Sequence, residues 1–518
     1  MSTRLLLVIA GALLLLRVPS LAQPMGPDQG LYAYVGDRIL KHELAYRDAW
    51  DQKPPGVHYV YAGLRAMSHR DVVVPAADLA AAAIVAALVW AIGARLGGTS
   101  GAGGLAAVIF LLLSDPSMDR YGGVRVRAQA ETFIALAVAA ALAIALAGNR
   151  ARRARLLAAG LFIGAAFTLK YNAGLYGLTV LAAVALTGGL ALADAIVVTA
   201  GAAVVPIVML TMFWRGGALT DLYQATIAYN LRYSGETYAS RLDMLRYLAT
   251  FPIHHAQVSP LWFIGGLGCL VLIVMGIRRR SLWLPVAWVA IACVSIGING
   301  SRELPQYFVQ AAPALALAAG LGAAVALERA HVAVRWIVAL LVAYGCWRAG
   351  SEPFPLKLAS SVWHDTSYLV GRIDRRTHLA RYGGARDTDK YSALDNLDIG
   401  TFLAQKTSPD ETVYVFGFSP GAYVYADRRS ASRFFWSRPV ILDFNHDNPR
   451  YGIAGLRDDL ERNHPAYVIL QQHDWAPDVQ DSAPFFLSQP RLSDWLRANY
   501  HEVHPFVDGF SGWERNSR

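Results

Sequence analysis

Long apolar runs separated by short polar or charged loops occupy the first 350 residues of the chain. Runs of about twenty apolar residues are typical of helices that cross a lipid bilayer. The pattern predicts about eleven crossings, although several runs are shorter than an ideal span, which leaves the count open by about one or two. The predicted spans are 5–22, 74–95, 101–114, 129–148, 156–169, 171–189, 193–214, 257–276, 282–298, 306–327 and 332–349.

Beyond the last of these spans the chain becomes polar and aromatic. Short β-type runs at 412–418 and 467–470 alternate with amphipathic helical stretches such as 393–405. That alternation is typical of a small α/β domain. The sequence therefore predicts a polytopic α-helical membrane protein in two parts, a transmembrane domain over 1–350 and a soluble α/β domain over 351–518.

Arginine clusters in two short loops predict the orientation of the chain. Four arginines lie within 150–155 and three within 278–280, and short loops rich in arginine stay in the cytoplasm. With the amino terminus inside, both clusters fall on the cytoplasmic side, and an odd number of crossings places 351–518 on the outer face. The first apolar run, 5–16, resembles a secretory signal but lacks an Ala-x-Ala-like cleavage site, and we interpret it as a retained first helix.

Composition agrees with a membrane protein, since 55% of the residues are hydrophobic and only 16% are charged, whereas soluble domains are nearer to a quarter charged. The net charge of +9 comes from scattered arginines and not from a basic stripe interleaved with aromatic residues, so no nucleic-acid partner is predicted. The three cysteines lie in apolar runs, which argues against a disulfide framework.

The first predicted outer loop, 23–70, is built unlike a simple tether. Its segments 29–40 and 57–67 mix apolar and polar residues at helical spacing, which predicts helices lying at the membrane interface. Asp28 stands near its start, within the segment Pro-Asp-Gln-Gly-Leu-Tyr at 27–32. One interpretation is a helix N-cap, because aspartate accepts hydrogen bonds from free backbone N–H groups. The other is a functional carboxylate at the membrane boundary, where charge is costly unless it has a task.

Three basic residues lie in predicted outer loops. Lys53 precedes a Pro-Pro pair that stiffens the chain, Lys170 lies in a turn between two spans, and Arg302 precedes Glu303 in a further loop. Two of them have an ordinary alternative, since Lys53 can contact lipid headgroups and Arg302 can pair with Glu303. Together they suit a phosphate group lying at the membrane boundary.

The order of these pieces resembles the membrane glycosyltransferases of the C superfamily, which use polyprenyl-phosphate sugars. The pattern looks most like that of the protein O-mannosyltransferases, the lipid A aminoarabinose transferases and the rhizobial galacturonosyltransferases. The resemblance covers the whole membrane domain. It rests on the acidic motif at 27–32, Lys-Pro-Pro at 53–55, Glu131 at the start of a span, and Arg302 followed by Tyr307, Phe308 and Pro313.

The resemblance implies a role for each of these positions. In those families the loop aspartate is the catalytic base, which Asp28 matches. The usual acidic neighbour is replaced by Gln29, so no metal site is carried over, and no cofactor is predicted. Five further residues are implied to bind the substrate or order the site: Tyr32, Lys53, Glu131, Lys170 and Arg302. Glu131 has an alternative role as a carboxylate at a helix start, where the helix dipole favours negative charge.

The predicted function is the inverting transfer of a sugar from a polyprenyl-phosphate donor to an acceptor hydroxyl of a lipid, a glycan or a protein. The predicted location is the inner membrane of a bacterium, where membrane lipids surround the spans and the soluble domain lies in the periplasm.

Three alternatives stay open. A lipid flippase or transporter should have broken spans in paired halves. A non-catalytic outer-face binding protein should recognise its ligand through the soluble domain. A peptidase or phosphatase working in the membrane should carry a nucleophile or a metal set. The H-E-x-x-H motif is absent, and we expect no nucleophile elbow.

Overall fold

The computed structural model describes most of the chain. It covers residues 2–116, 120–121, 124–148, 151–235, 238–298, 304–328, 330–348, 353–383, 391–475, 479–504 and 506–517. Arg302 and the predicted domain boundary between 350 and 351 lie outside the described residues.

The amino-terminal part is built from α-helices joined by short turns. They are α1 (Thr3–Arg17), α2 (Pro27–Leu40), α3 (Gly56–Met67), α4 (Val73–Gly97), α5 (Ser100–Leu113), α6 (Ala130–Ala145), α7 (Arg152–Leu169), α8 (Gly177–Gly188), α9 (Leu192–Arg215), α10 (Leu219–Tyr223), α11 (Tyr229–Gly235), α12 (Arg241–Val258), α13 (Pro260–Gly276), α14 (Trp283–Ile298), α15 (Ala312–Leu327) and α16 (Val332–Arg348). Short 3₁₀ helices lie at Val18–Ala22, Tyr171–Tyr176, Arg280–Leu282 and Pro305–Ala311, a π-helical turn lies at Gln224–Ala228, and a hairpin joins β1 (Arg120–Tyr121) to β2 (Val124–Arg125).

Each predicted span coincides with a described helix. Six helical segments are long and apolar enough to cross a membrane: Thr3–Ala22, Val73–Gly97, Tyr171–Gly188, Leu192–Arg215, Arg280–Ile298 and Pro305–Leu327. A seventh is reached if α12 and α13, which meet at 120°, form one broken span, and α5, α6 and α16 are apolar but shorter. The described residues confirm a multi-pass helical membrane protein, and the count of about eleven crossings stays a prediction.

Small residues let these helices approach one another closely. An added Cβ at Gly160 of α7 would lie 2.2 Å from the carbonyl oxygen of Val198 in α9. At Gly268 of α13 it would lie 2.3 Å from the carbonyl oxygen of Ala318 in α15. Membrane helices associate through such close packing, because burial in lipid supplies little hydrophobic driving force between them.

The carboxy-terminal part combines helices with one mixed sheet, which confirms the predicted α/β character. Its elements are α17 (Phe354–Leu369), α18 (Arg375–Leu379), α19 (Ala393–Lys406), β3 (Thr412–Phe416), α20 (Gly421–Ala426), β4 (Arg429–Ser430), α21 (Arg438–Ile441), α22 (Gly452–Asn463), β5 (Tyr467–Gln471), α23 (Ser482–Ser488), α24 (Pro490–Asn499), β6 (Tyr500–Val503) and β7 (Phe510–Arg515). The strand order is β4-β3-β5-β7-β6; β3 is parallel to β4 and β5, and β7 is antiparallel to β5 and β6. The apolar strand β5 is buried throughout, as a central strand covered on both faces requires.

The helices α2 and α3 match the two helices predicted in the first outer loop, but α2 does not lie at an open interface. It packs between α3 and α20, and nearly all its residues are buried. Gly30 of α2 meets the backbone of Gly421, where an added Cβ would lie 2.9 Å from the Gly421 nitrogen. The carboxy-terminal part therefore covers α2, and the interfacial position of the two helices stays a prediction.

The two arginine clusters lie at the same end of the bundle, as the predicted threading requires. Arg152 and Arg155 line one cavity together with Arg279 and Arg280. The opposite end of α7 leads to Lys170, and an 18-residue helix is about 27 Å long. Which of the two ends faces the cytoplasm stays a prediction.

Candidate functional site

Asp28 is the second residue of α2 and is 8% exposed. The N-cap of this helix is Gly26, whose backbone N–H donates to the side-chain oxygen of Gln29. Asp28 therefore does not occupy the N-cap position that its alternative interpretation required. Its carboxylate lies in the first turn, where the helix dipole favours negative charge.

Gln29 fixes the start of α2 through contacts that an acidic residue at this position could not make. Its side-chain oxygen accepts from Gly26, and its Nε2 donates to the backbone carbonyl of Arg127. A carboxylate has no N–H to donate, so the second contact needs the amide. Among the described residues no group of three or more His, Cys, Asp or Glu side chains is placed to hold a metal ion, and the absence of a metal requirement stays a prediction.

Four charged side chains act on the carboxylate of Asp28. Burial is the largest effect and raises the pKa of Asp28 to about 6. The ammonium groups of Lys53 and Lys170 lower this pKa, and the carboxylates of Asp51 and Glu131 raise it. A carboxylate in this range accepts protons far better than an exposed aspartate does near neutral pH. The structure thus brings Lys53, Glu131 and Lys170, which come from separate parts of the sequence, into electrostatic contact with Asp28.

Lys170 is held between an anion and an aromatic ring. Its ammonium group pairs with the carboxylate of Glu131 and lies 4.1 Å from the centre of the Tyr307 ring. Burial lowers the pKa of Lys170 to about 8, although the Glu131 carboxylate opposes this shift. Glu131 also lies in the first turn of α6, as its alternative role requires, and its role in ordering the site stays a prediction.

The 3₁₀ turn Pro305–Ala311 holds Tyr307 in place through buried hydrogen bonds. Gln310 donates from Nε2 to the carbonyl oxygen of Tyr307 at 2.8 Å. The hydroxyl groups of Tyr176 and Ser295 donate to Oε1 of Gln310 at 3.0 and 2.9 Å. One buried amide therefore joins three helical elements and sets the ring against which Lys170 lies.

The loop of Lys53 is fixed mainly through its backbone. The hydroxyl of Tyr46 donates to the carbonyl oxygen of Lys53 at 2.8 Å, and Nδ2 of Asn230 donates to the carbonyl oxygen of Gln52 at 2.6 Å. The helix α3 begins directly after the proline pair, as the stiffened turn predicted. The side chain of Lys53 is half-buried.

A cavity of about 270 Å³ opens beside these residues. It is lined by Gln52, Lys53, Pro54, Lys170, Tyr171, Asn172, Thr226, Ile227, Asn230, Leu231, Ile298 and Tyr307. Its wall thus combines two ammonium groups with hydroxyl and amide side chains and an apolar edge. Ile298 is the last described residue before 299–303, the segment that contains Arg302. The predicted contact from Arg302 therefore remains a prediction.

Tyr32 lies one helical turn after Asp28 and packs into the contact between α2 and α3. Its ring is 5.9 Å from that of His58 and 5.3 Å from that of Tyr61, both edge to face. Only 2% of Tyr32 is exposed. The structure gives it a packing role beside Asp28, and its predicted contact with substrate stays a prediction.

Three side chains around Asp28 were not assigned a role from sequence. Asp51 and His58 form a buried pair, with Oδ2 of Asp51 3.1 Å from Nε2 of His58, and Nε2 of Gln306 lies 3.5 Å from Oδ2 of Asp28. Asp51 and Gln306 stand close in sequence to Lys53 and Tyr307, and that proximity was the available signal. The pairing with His58 left no pattern in the sequence.

The carboxy-terminal part closes over the segment 23–70, the predicted first outer loop. The backbone N–H of Ser430 donates to the hydroxyl of Tyr34 at 2.8 Å. Trp50 donates from its backbone to the carbonyl oxygen of Arg433 at 2.8 Å, and its own carbonyl accepts from Nε1 of Trp436 at 3.1 Å. The loop that carries Lys53 is therefore attached to both parts of the chain.

The sequence contains a G-x-S-x-G segment, Gly-Phe-Ser-Pro-Gly at 417–421, between β3 and α20. The expectation that sequence offers no nucleophile elbow is corrected in that respect. The structure nevertheless differs from an elbow. The backbone of Ser419 does not have the positive φ of a strained turn, and its side chain is buried and not exposed. Its hydroxyl donates to Oε1 of Gln471 at 2.9 Å, and in the described part of the chain no histidine contacts it. The turn brings Gly421 against α2 and does not activate a nucleophile.

No protein-family model matches the chain, and no curated protein sequence does. Solved structures do match. ArnT from Cupriavidus metallidurans bound to undecaprenyl phosphate has a TM-score of 0.57 at 16% identity, over 99% of this chain and 98% of that chain. The oligosaccharyltransferase AglB from Archaeoglobus fulgidus, in complex with an inhibitory peptide and a dolichol-phosphate, has a TM-score of 0.51 at 12% identity, over 99% and 74%. A structure of the same oligosaccharyltransferase with Zn and sulfate has a TM-score of 0.50 at 14% identity, over 99% and 73%.

At this level of identity the comparisons show the fold. The chain shares the fold of ArnT and of the oligosaccharyltransferase AglB over almost its whole length. The resemblance seen in the sequence motifs is confirmed to that extent.

Proposed function

We propose that the protein is an inverting glycosyltransferase that moves a sugar from a polyprenyl phosphate to an acceptor hydroxyl on the outer face of a bacterial inner membrane. One observation carries the proposal: a buried carboxylate with a raised pKa lies among two lysines that line a cavity, at the covered end of the bundle. The shared fold supports it, because ArnT was solved with undecaprenyl phosphate and AglB with a dolichol-phosphate.

The proposed step is a single displacement at the anomeric carbon. The acceptor oxygen attacks that carbon while Asp28 takes the hydroxyl proton. The bond between the anomeric carbon and the phosphate oxygen breaks, and its electron pair leaves with the polyprenyl phosphate. One displacement inverts the configuration of the sugar.

The lysines suit the charge that develops on the leaving phosphate. Lys53 and Lys170 line the cavity, and charge-assisted hydrogen bonds from ammonium groups are among the stronger contacts to phosphate. We assign Glu131 to the orientation of Lys170, and Arg302 to a further phosphate contact. The raised pKa of Asp28 suits a base, whereas Lys170, with a pKa of about 8, is mostly cationic at neutral pH. No metal or other cofactor enters this step. The donor is itself a lipid and reaches the site from the surrounding membrane lipids.

The flippase alternative gains no support from the described helices. They contain one sharply bent pair, α12 and α13, whereas a transporter of symmetrical halves needs such breaks in corresponding positions.

The proposal is tested with the purified full-length protein in nanodiscs and a panel of synthetic polyprenyl-phosphate sugars. For at least one donor, we expect one polyprenyl phosphate to be released for each acceptor molecule that is glycosylated. Mass spectrometry of envelope lipids, glycans and glycoproteins from a deletion strain identifies the sugar and the acceptor. Movement of intact donor across the bilayer without bond cleavage would contradict the proposal and favour a flippase.

Sidedness has its own test. A reporter fused after Arg155 or Arg280 should report the cytoplasm, and one fused after Arg518 should report the outer compartment. A carboxy terminus in the cytoplasm would place Asp28 on the wrong side for a donor presented at the outer face.

A further inference from the structure

A second cavity lies at the end of the bundle opposite Asp28. It has a volume of about 430 Å³, and we call it the arginine cavity. Its guanidinium groups come from the end of α4, the start of α7 and the turn after α13: Arg95, Arg152, Arg155, Arg279 and Arg280. It is separated from the candidate site by the length of α7, about 27 Å, and takes no part in the proposed transfer.

The positive charge of this cavity is poorly balanced. Among the described residues that line it there is no carboxylate. Arg152 pairs with Asp194 at 2.7 Å and also donates to the carbonyl oxygen of Gly189. In the part of the chain that the structure describes, none of the other four arginines makes an ion pair with a carboxylate, and Nε of Arg155 is buried without a hydrogen-bond partner. A concave site with unbalanced cationic groups attracts an anion.

The rest of the lining is mixed, with Thr187 and Ser281 as polar members. Its apolar wall is formed by the ends of α4, α6, α7 and α8, through Leu96, Ala145, Leu146, Leu156, Val184 and Leu186. All four helices belong to the multi-pass bundle, so the cavity lies where membrane helices meet the aqueous phase. Basic pockets between membrane helices at this level bind the headgroups of anionic lipids.

The rule that short basic loops stay in the cytoplasm explains why arginines occur here, but not why they surround a cavity. Arg153 and Arg278 belong to the same two clusters, are exposed, and do not line it. They serve membrane orientation equally well. The convergence of five arginines from three separate segments is therefore a feature of the tertiary structure that orientation does not require.

We propose that the arginine cavity binds the phosphate group of an anionic ligand. Two sources supply that chemistry, the headgroup of an anionic phospholipid in the surrounding leaflet and free phosphate in the aqueous phase. The apolar wall matches the glycerol and first acyl carbons of a lipid, and the guanidinium forks match the phosphate oxygens.

The test uses the purified full-length protein in neutral detergent. Thermal unfolding and native mass spectrometry are measured with cardiolipin, with phosphatidylcholine, and with sodium phosphate against sodium chloride at equal ionic strength. The variant Arg155→Gln/Arg280→Gln removes two cavity arginines. The matched control Arg153→Gln/Arg278→Gln removes the same charge from the same two loops.

We expect cardiolipin to stabilise the wild-type protein and the control equally, and to bind the cavity variant at least about tenfold more weakly. Stabilisation by sodium phosphate beyond sodium chloride, lost in the cavity variant, assigns the aqueous source. Equal binding by the two double variants overturns the proposal, and so does a response to cardiolipin no larger than that to phosphatidylcholine.

A second variant guards against loss of folding or of membrane orientation. Arg155→Lys/Arg280→Lys keeps every positive charge but replaces the planar forks, so it should insert normally and still bind more weakly than the control. If this variant binds as tightly as the control and the glutamine variant does not fold, the guanidinium groups are not the phosphate ligands and the proposal fails.

Discussion

The two ends of the helix bundle both collect charged side chains, but in opposite surroundings. Around Asp28 the charges have both signs and are mostly buried, with Glu131 and Lys170 only 1% and 5% exposed and Lys53 half-buried. In the arginine cavity the charges have one sign, and Arg279 and Arg280 are exposed. A neighbouring charge has a much larger effect where water is excluded. The first end is therefore suited to moving a proton, and the second to attracting an anion and setting membrane orientation.

The difference comes from what covers each end. The carboxy-terminal part packs on α2 and on the loop of Lys53, through Gly421 against Gly30 and through Arg433 on Trp50. The presence of positive charge alone does not distinguish the ends, since each contains at least two cations. Four variants or conditions test whether burial makes the difference.

The largest effect is expected for Asp28→Asn, because an amide cannot take the acceptor proton. Turnover should fall by about a hundredfold to ten-thousandfold, measured as release of polyprenyl phosphate. Asp410→Asn, at an exposed aspartate of the carboxy-terminal part, is the matched control and should leave turnover unchanged.

Folding should survive the Asp28→Asn change. The pKa of Asp28 is about 6 in the folded protein, above its ordinary 3.8, so the folded state favours the protonated form and the carboxylate weakens stability as pH rises through that range. The neutral amide removes this penalty. Thermal unfolding at pH 7 should therefore occur at an equal or higher temperature in the variant, and a wild-type transfer rate in a well-folded variant would end the assignment of Asp28 as the base.

The next effect concerns the buried pair of Glu131 and Lys170. Glu131→Gln leaves a buried ammonium group without its anion and should destabilise the protein by about 3–5 kcal/mol, measured by denaturant unfolding. The double variant Glu131→Gln/Lys170→Met removes both charges and should recover most of that stability but not the affinity for donor. Recovery of both properties in the double variant would make the pair purely structural.

A smaller effect is expected for the cations assigned to the phosphate. Lys53→Ala and Arg302→Ala should each weaken donor binding by roughly tenfold to a hundredfold, because each removes one charge-assisted contact. Arg278→Gln, an exposed arginine at the opposite end, removes the same charge and should leave donor affinity unchanged. Equal donor affinity in all three variants would contradict the phosphate assignment and leave Lys53 as a contact with lipid headgroups and Arg302 as a partner of Glu303.

The smallest effect is on the pH profile. Activity requires Asp28 deprotonated and Lys170 protonated, so kcat/KM should rise with pH through about 6 and fall above about 8. Because the Lys53 ammonium lowers the pKa of Asp28, Lys53→Met should move the acid limb to higher pH. An acid limb that stays in place after loss of Lys53 would show that the two groups do not interact.

Much of the architecture was readable from the sequence, because apolar period and length are local properties. The helices at the predicted spans, the strands at 412–418 and 467–470, and the two helices of the predicted first outer loop all follow from neighbouring residues. The Asp28 and Lys53 motifs were visible for the same reason, since each occupies a few consecutive positions. The G-x-S-x-G segment shows the limit of such patterns, because its letters match an elbow and its backbone does not.

Only the tertiary structure decided which charges meet and which are covered. The raised pKa of Asp28, the contact of Glu131 with Lys170, and the amide of Gln29 on Arg127 all join residues far apart in the chain. Desolvation depends on every atom packed around a group, and no local pattern encodes it. The arginine clusters could be assigned to one side from sequence, but their convergence on a cavity required the packing of α4, α7 and α13. The role of a charged residue in this protein therefore depends on how far the surrounding structure buries it, and the tertiary fold determines that burial.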